Sequence, residues 1–228
     1  MSRRARRGIV APMTDPATPL RYLVFLGSAR ESAPPYPQRL GLRVARACLA
    51  RLASAGARAT LVDPLALELP PVFKPHFAHV RGQAPVLDAL AADIAAADGY
   101  VMVSPEYNHS MSPALAHLLN HFGSSLFAFK PSAIVTYSAG QWGGARAAVG
   151  MRTFLAELGC LPVSAMVHVP RAQEALREDG TPAEGQDAEA WAAYLGRVFA
   201  QLEWWAAAAR AGRAARDPHA ASPAFPRR

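Results

Sequence analysis

Residues 99–119 read GYVMVSPEYNHSMSPALAHLL. The apolar run from Gly99 to Ser104 is typical of a strand buried inside a parallel sheet, and we expect the proline that follows to end it. Ser112 as a cap and Pro113 as the first helical residue predict the start of a helix. The polar segment PEYNHS at 105–110 therefore joins a strand to a helix, and open α/β sheets bind ligands at such junctions.

This alternation of strand and helix occurs five times, which predicts an α/β protein whose parallel sheet is covered by helices on both faces. The expected architecture is a doubly wound, five-stranded parallel sheet of order 2-1-3-4-5. In that order strands one, three and four are neighbours, so the loops that follow them meet at one edge. We predict strands near 21–27, 58–63, 99–104, 132–137 and 162–169, and helices over 38–55, 85–97, from 112, over 144–159 and over 187–211.

The loop after the first strand, Gly27-Ser28-Ala29-Arg30, precedes a helix whose free N–H groups and dipole favour an anion. Ser28 adds a hydroxyl donor and Arg30 a charged donor, so the loop suits a phosphate. A dinucleotide site with Asp63 on a ribose is the alternative. It is not supported, because GxGxxG is absent and Asp63 lies 36 residues after Gly27 (63 minus 27), where roughly 20 are expected. We interpret Asp63 as a turn residue.

The other two loops suit a planar ring. In the loop after the third strand, Tyr107 offers a flat apolar face, and Asn108 tolerates backbone angles that expose N–H groups to a ligand. The loop after the fourth strand, SAGQWGG at 138–144, has three glycines that let the main chain approach a ligand closely. Gln141 can border the ring, and Arg146 can reach a second, anionic ligand. Together the three loops indicate a flavin site.

With these residues in view, the sequence resembles the NADPH-dependent FMN reductase family over about residues 20–207. The resemblance implies a flavodoxin-like fold and an NAD(P)H-dependent, FMN-containing oxidoreductase that reduces free flavin, quinones or related acceptors as a homodimer or homotetramer. It is carried by GSAR at 27–30, PEYNHS at 105–110 with PAL at 113–115, and YSAG at 137–140 through GGAR at 143–146.

The resemblance also implies which residues bind the cofactors. The FMN phosphate is expected at Ser28, Arg30 and the helix start at Gln38, Arg39 and Leu40, although the segment 31–37 separates Arg30 from that helix more widely than is usual in the family. NADPH is expected on the exposed ring face near Trp142 and Arg146. No catalytic side chain is required, because the flavin carries the hydride. The residues expected around the isoalloxazine are Pro105, Glu106, Tyr107, Asn108, Ser138, Ala139, Gly140, Gln141 and Gly143.

Other functions stay open at this point. A reductase of the same fold could act on azo dyes, chromate or organoarsenicals, and the sequence does not separate these acceptors. A non-enzymatic flavodoxin-like electron carrier is disfavoured by the basic charge and by the PEYN loop. A phosphate or nucleic-acid binding module without redox chemistry is a third class. His117 and His121 are one helical turn apart, but without an HExxH glutamate we interpret them as a solvated or interface pair and not as metal ligands.

Composition and charge bound the organisation of the chain. Its 228 residues carry a formal net charge of +7, but the arginines crowd both ends, so we predict no nucleic-acid partner. We expect disordered basic tails at 1–19 and 208–228 around one domain at 20–207, with no membrane segment. Cys48 and Cys160 lie in apolar patterns without a CxxC spacing, which favours a reduced, cytoplasmic location.

Overall fold

The computed structural model of the protein describes residues 18–31, 39–80 and 82–221. Its centre is a parallel sheet of order β2-β1-β3-β5-β6, and the short strand β4 pairs antiparallel with the end of β3. Counting the parallel strands alone, this is the predicted order 2-1-3-4-5, which is confirmed. The strands are β1 (Arg21–Leu26), β2 (Arg58–Val62), β3 (Gly99–Tyr107), β4 (Ser110–Met111), β5 (Pro131–Tyr137) and β6 (Leu161–Val169).

Helices cover both faces of the sheet. Because side chains alternate along a strand, Val24 of β1 packs on the α1 and α7 side, whereas its neighbour Phe25 packs on the side of α2, α3 and α5. The helices are α1 (Leu40–Ser54), α2 (Pro85–Ala96), α3 (Pro113–Asn120), α4 (Ser124–Phe127), α5 (Ala145–Glu157), α6 (Ala172–Ala175) and α7 (Ala188–Ala215), with short 3-10 helices at Pro64–Ala66, His76–Ala78 and Pro218–Ala221. Among the described residues no helix is both long and apolar enough to cross a bilayer.

The third strand does not end at Pro105, and that prediction is wrong. β3 continues to Tyr107 because β4 folds back on it, pairing Glu106 with Met111 and Tyr107 with Ser110. The two residues between them, Asn108 and His109, have φ angles of 49° and 60°. A two-residue turn with both φ angles positive matches the twist of a hairpin, so PEYNHS is a hairpin tip and not an irregular loop.

The last helix is longer than predicted. α7 continues to Ala215, into the segment 208–228 that the sequence indicated to be a disordered tail. Arg210 and Arg213 in this part both bind the buried carboxylate of Asp98, which anchors the helix to the sheet. The helix thus extends past the domain boundary predicted at 207. Residues 1–17 and 222–228 of the predicted tails lie outside the described part of the chain.

Candidate functional site

The first loop crosses closely over the neighbouring strand. The Gly27 N–H donates to the Val103 carbonyl at 2.7 Å. A Cβ on Gly27 would lie 2.8 Å from that oxygen and 2.9 Å from the Leu115 Cβ, so a side chain here would push β1 away from β3. Ser28 is buried at the end of this crossing, and Arg30 is exposed beyond it. The glycine thus brings the predicted phosphate-binding residues to the edge of the sheet.

Arg39 braces this loop from the start of α1. Its buried guanidinium donates to both carboxylate oxygens of Asp63, at 2.6 and 3.0 Å, and to the Ser28 carbonyl. Asp63 also accepts from the Leu65 N–H at 3.0 Å, so it is a helix cap and an ion-pair partner as well as a turn residue. The Arg39 guanidinium therefore holds the loop in place. Gln38, the other residue predicted there, lies outside the described residues.

The amino terminus of α1 begins at Leu40. Among the described residues no side chain caps it, and its first turn contains no acidic residue. Gly41 in that turn packs on Tyr137, since a Cβ there would lie 2.3 Å from the Tyr137 hydroxyl oxygen. Burial raises the pKa of the Tyr137 hydroxyl, and a hydrogen bond with Ser28 opposes this effect. From the sequence, Tyr137 was named only as part of the YSAG motif and was given no role in the site, although its place as the last residue of β5 was a usable signal.

Arg30 joins the first loop to the hairpin. Its Nε donates to the Tyr107 hydroxyl at 2.9 Å, and its Cζ lies 5.6 Å from the centroid of the Tyr107 ring. Pro105 is buried within β3, whereas Asn108 is exposed at the hairpin tip. Two residues 77 positions apart thus meet at the edge of the sheet, as the strand order requires.

Glu106 joins the hairpin to the third loop. Its carboxylate accepts from the backbone N–H groups of Arg146 and Ala147, at 3.0 and 3.2 Å, and from the Arg146 Nη1 at 3.3 Å. An anion at the first turn of α5 stabilises the helix dipole. The carboxylate that the sequence assigned to the cofactor is therefore engaged by the protein, with only 11% of the side chain exposed. No spacing rule connects a strand residue to a helix start 40 positions later.

The third loop is shaped by its own hydrogen bonds. The Ser138 hydroxyl donates to the Gly140 carbonyl at 2.9 Å and accepts from the Gly143 N–H at 3.0 Å. Gly143 is buried at a φ of 60°, with the backbone of Val169 3.0 Å from the position of a Cβ. Four of the predicted residues, Ala139, Gly140, Gln141 and Trp142, are exposed at the rim of the loop.

Trp142 and Arg146 form a pair at this rim. The Arg146 Cζ lies 5.0 Å from the centroid of the Trp142 ring, within the range of a cation–π contact. Trp142 is 59% exposed. An exposed aromatic face beside a guanidinium suits a ligand that carries both a ring and an anionic group.

The donors at this edge fit a cofactor that has a phosphate at one end and a planar ring at the other. The uncapped α1 terminus and Arg30 supply positive charge for a phosphate. The hairpin at Tyr107 and the exposed main chain of the third loop supply a flat apolar surface and polar backbone groups. Bound there, a flavin would supply the hydride chemistry, and the protein would orient it and shield it from water.

His117 and His121, at the end of α3, contact other parts of the protein. His121 is buried, its Nδ1 lies 2.9 Å from the Lys74 carbonyl, and its Nε2 lies 3.3 Å from the His117 Nε2. The His117 Nε2 also lies 3.1 Å from the Pro70 carbonyl. The pair thus holds the proline-rich segment 64–80 against the end of α3, and the interpretation as a solvated or interface pair is wrong for His121, which is buried. In the described part of the chain no three metal-ligating side chains converge.

Comparison with known proteins agrees with this geometry. The sequence profile of the NADPH-dependent FMN reductase family matches residues 20–174, more than half of the chain. An NADPH azoreductase of Bacillus sp. strain OY1-2 is 41% identical over 63 residues, which span 28% of this chain and 35% of that protein. An NAD(P)H-dependent FMN reductase of Pseudomonas aeruginosa is 33% identical over 106 residues, which span 45% of this chain and 57% of that protein.

The chain therefore matches less than two thirds of the length of these relatives. Among solved structures, the flavoenzyme FerB, an NAD(P)H:acceptor oxidoreductase from Paracoccus denitrificans, superposes with a TM-score of 0.64. The superposition covers 82% of this chain and 97% of FerB at 20% identity. At that identity the likeness establishes the flavodoxin-like fold.

Proposed function

Because the chain belongs to the NADPH-dependent FMN reductase family, we propose that it binds FMN and uses NAD(P)H to reduce free flavin, quinones or related acceptors. One observation carries the proposal furthest. The three loops are tied into one surface, the first to the hairpin by Arg30 and Tyr107, and the hairpin to the third loop by Glu106 and the start of α5.

The roles follow from the chemistry of each group. The phosphate binds at the Ser28 to Arg30 loop and the amino terminus of α1, where Leu40 begins the helix. The ring lies against the hairpin at Pro105 to Asn108 and against the third loop at Ser138 to Gly143. Trp142 and Arg146, at the exposed rim, contact the nicotinamide nucleotide. No side chain has to carry a proton or a covalent intermediate, because the flavin carries the hydride.

The experiment is a titration followed by a turnover assay. Purified protein is titrated with FMN, and bound flavin is followed through its visible absorbance and quenched fluorescence. NADPH oxidation is then measured with free FMN, a quinone, an azo dye and chromate as acceptors. Saturable FMN binding with acceptor-dependent oxidation supports the proposal. A protein that binds no FMN would overturn it.

Azo dyes are the second candidate acceptor. The Bacillus relative, named an NADPH azoreductase, is 41% identical over the stretch that it shares with this chain. Azo dye turnover that exceeds quinone turnover under equal conditions would favour this alternative.

Bound flavin that accepts no electrons from either nicotinamide nucleotide would favour a non-enzymatic electron carrier.

We propose a homodimer or homotetramer. His121 and Phe122 do not support it, because both are buried within the protomer. Support comes from apolar side chains that stay exposed, Phe73 and Phe77 on the proline-rich segment and Trp204 on α7. Light scattering should give a mass of at least twice 24.3 kDa, and a monomer at micromolar concentration would contradict the proposal.

We also propose a reducing, cytoplasmic location. Cys48 and Cys160 are both free and buried. Burial raises the pKa of each thiol to about 12, so neither is primed for disulfide exchange. Fractionation of the native host tests this location.

A further inference from the structure

A second concavity lies at the carboxyl edge of the sheet, beyond the third loop. Its volume of about 390 Å³ falls within the range of small-molecule pockets, roughly 300 to 1,000 Å³. Gln141 belongs both to this cavity and to the third loop. The cavity is lined by Gln141, Pro170, Arg171, Glu174, Gln186 and Trp191.

The cavity and the third loop share a wall. The Arg171 N–H donates to the Gly140 carbonyl at 2.9 Å, and the Ala172 N–H donates to the Ser138 carbonyl at 3.0 Å. The Gln173 Nε2 adds a hydrogen bond to the third loop at the Ala139 carbonyl, 3.1 Å away. A ligand in the cavity would thus lie directly beside the loop that borders the proposed flavin ring.

The lining suits an aromatic base with polar edges. Trp191, in the first turn of α7, is the aromatic residue of the lining. The side-chain amides of Gln141 and Gln186 can each donate and accept. Gln186 is held in place, because its Nε2 donates to the Glu174 carbonyl at 3.3 Å. A purine has both the ring face and the edge atoms that such a lining can bind.

Arg171 and Glu174 add a pair of opposite charges at the mouth. The Arg171 Nη1 lies 3.9 Å from the Glu174 Oε2, and both side chains are about 60% exposed. An exposed ion pair of this kind contributes little, so each partner can exchange it for a ligand group. In dinucleotide sites a carboxylate binds the ribose 2′-hydroxyl, and an arginine accommodates a 2′-phosphate. The pair presents both recognition groups at one place.

We propose that this cavity binds the adenosine half of the nicotinamide nucleotide, with the base on Trp191 and the ribose 2′-position between Arg171 and Glu174. The inference rests on the proposed function, in which NAD(P)H delivers a hydride to FMN. A dinucleotide that passes over Gln141 places its two halves on the two sides of the third loop.

The first test measures binding without electron transfer. Adenosine 2′,5′-bisphosphate, which has no nicotinamide, is titrated calorimetrically into the FMN-loaded protein. Arg171→Asn and Trp191→Leu should each raise its Kd about tenfold or more, as expected for the loss of a charge-assisted hydrogen bond or of the ring contact. Asn tolerates the left-handed backbone of Arg171, whose φ is 42°. Arg197→Ala, which removes an exposed arginine of α7, is the matched control and should leave the Kd unchanged.

Trp191 also packs against the core, so Trp191→Phe accompanies the leucine variant. The phenylalanine variant keeps an aromatic face and should bind the probe more tightly than Trp191→Leu. Equal melting temperatures for Trp191→Phe and the unaltered protein would show that its binding change is not a folding defect. Identical Kd values for the unaltered protein and both Trp191 variants would overturn the proposal.

The second test separates the two nucleotides. Glu174→Gln should raise the KM for NADH, because the ribose hydroxyl loses its charged acceptor, without raising the KM for NADPH. Arg171→Asn should raise the KM for NADPH and leave the KM for NADH nearly unchanged. In both variants kcat at saturating nucleotide should stay at the unaltered value, since neither residue touches the flavin.

The outcomes distinguish this proposal from the proposed function. If Arg146→Ala weakens the bisphosphate probe and Arg171→Asn does not, the phosphate lies at the Trp142 rim, and the cavity assignment is overturned while the reductase stands. If neither nucleotide reduces the flavin but probe binding depends on Arg171 and Trp191, the reductase proposal fails and the adenosine site stands.

Discussion

Each end of the parallel sheet has an ion pair between arginine and a carboxylate, and the two pairs have different roles. At the amino end, the Asp98 carboxylate is only 8% exposed and binds the Arg21 N–H, Arg210 and Arg213, which fixes β1 and α7 to the start of β3. At the carboxyl end, Glu106 binds Arg146, which is 42% exposed, and thereby holds two loops together. Arginine and carboxylate thus stabilise the fold at one end and link the loops of the proposed binding surface at the other.

The largest effect is expected at Asp98, on the free energy of unfolding. Asp98→Asn leaves Arg210 and Arg213 without their buried anion, and removal of one partner from such a network costs about 3 kcal/mol or more in the free energy of unfolding. Urea denaturation measures this loss. FMN affinity, measured at low urea where the variant is folded, should not change. Weaker FMN binding with unaltered stability would show that the amino end is not purely structural.

Arg30 should affect the affinity for FMN and leave the stability of the fold nearly unchanged. Arg30→Ala should weaken FMN binding by about 1.5 to 3 kcal/mol, the contribution of a hydrogen bond to a charged phosphate. The side chain is exposed, so the free energy of unfolding should change by no more than about 0.5 kcal/mol. Fluorescence titration with FMN gives the affinity, and Tyr107→Phe, which removes only the hydroxyl partner of Arg30, should show a smaller loss. Unchanged affinity in Arg30→Ala would place the phosphate elsewhere.

Glu106 should affect both the free energy of unfolding and the affinity for FMN. Glu106→Gln keeps the shape of the side chain but removes the charge at the first turn of α5, at a cost of about 1 kcal/mol in the free energy of unfolding. FMN affinity should fall with it, since the hairpin and the third loop lose their link. Unfolding curves and FMN titrations on one preparation test this. A stability loss without any loss of affinity would mean that the ring does not depend on this link.

The smallest effect is expected from pH, through His121 at the end of α3. Burial lowers the pKa of His121 below the ordinary value of 6.5, with His117 and His79 acting in the same direction and the Lys74 carbonyl opposing. The neutral ring is favoured in the fold, so its stabilisation is present above pH 6.5 and is lost as the pH falls from there toward the lower folded pKa. Urea denaturation across pH 7.5 to about 5 should show this decline.

His121→Asn is the control for this pH dependence. The asparagine keeps an N–H near the Lys74 carbonyl but does not titrate, so the slope of stability against pH should be shallower. A slope that is identical in the variant would assign the pH dependence to other groups.

The parts that sequence alone predicted are those that local pattern determines. The buried strands are continuous apolar runs, and Ser112 caps α3 with Pro113 at its first position, as predicted. The parallel sheet followed from the alternation of strands with helices, and its order is that of the expected flavodoxin-like architecture. Asn108, chosen for its tolerance of unusual backbone angles, has a φ of 49°.

The hairpin and the contacts between loops were not predicted, because they depend on distances between residues that are far apart in the sequence. The strand β4 has two residues, too few for any periodic signal, so the hairpin beyond Pro105 was missed. The folded sheet brings the Arg39 Nη1 to 2.6 Å from the Asp63 Oδ2. It also brings the Glu106 Oε2 to 3.0 Å from the Arg146 backbone nitrogen at the start of α5, and both distances are those of hydrogen bonds. Neither pairing follows a spacing rule, so residues chosen as ligand contacts proved to be partly contacts within the protein.

The most direct test of the central claim is anaerobic stopped-flow absorbance of the FMN-loaded protein mixed with excess NADPH. We predict that the visible flavin band bleaches after mixing and returns when a quinone or oxygen is added, because we propose that both ligands bind at the surface formed by the three loops. Flavin that stays oxidised with excess NADPH, and also with excess NADH, would contradict it and would indicate an electron carrier in place of a reductase.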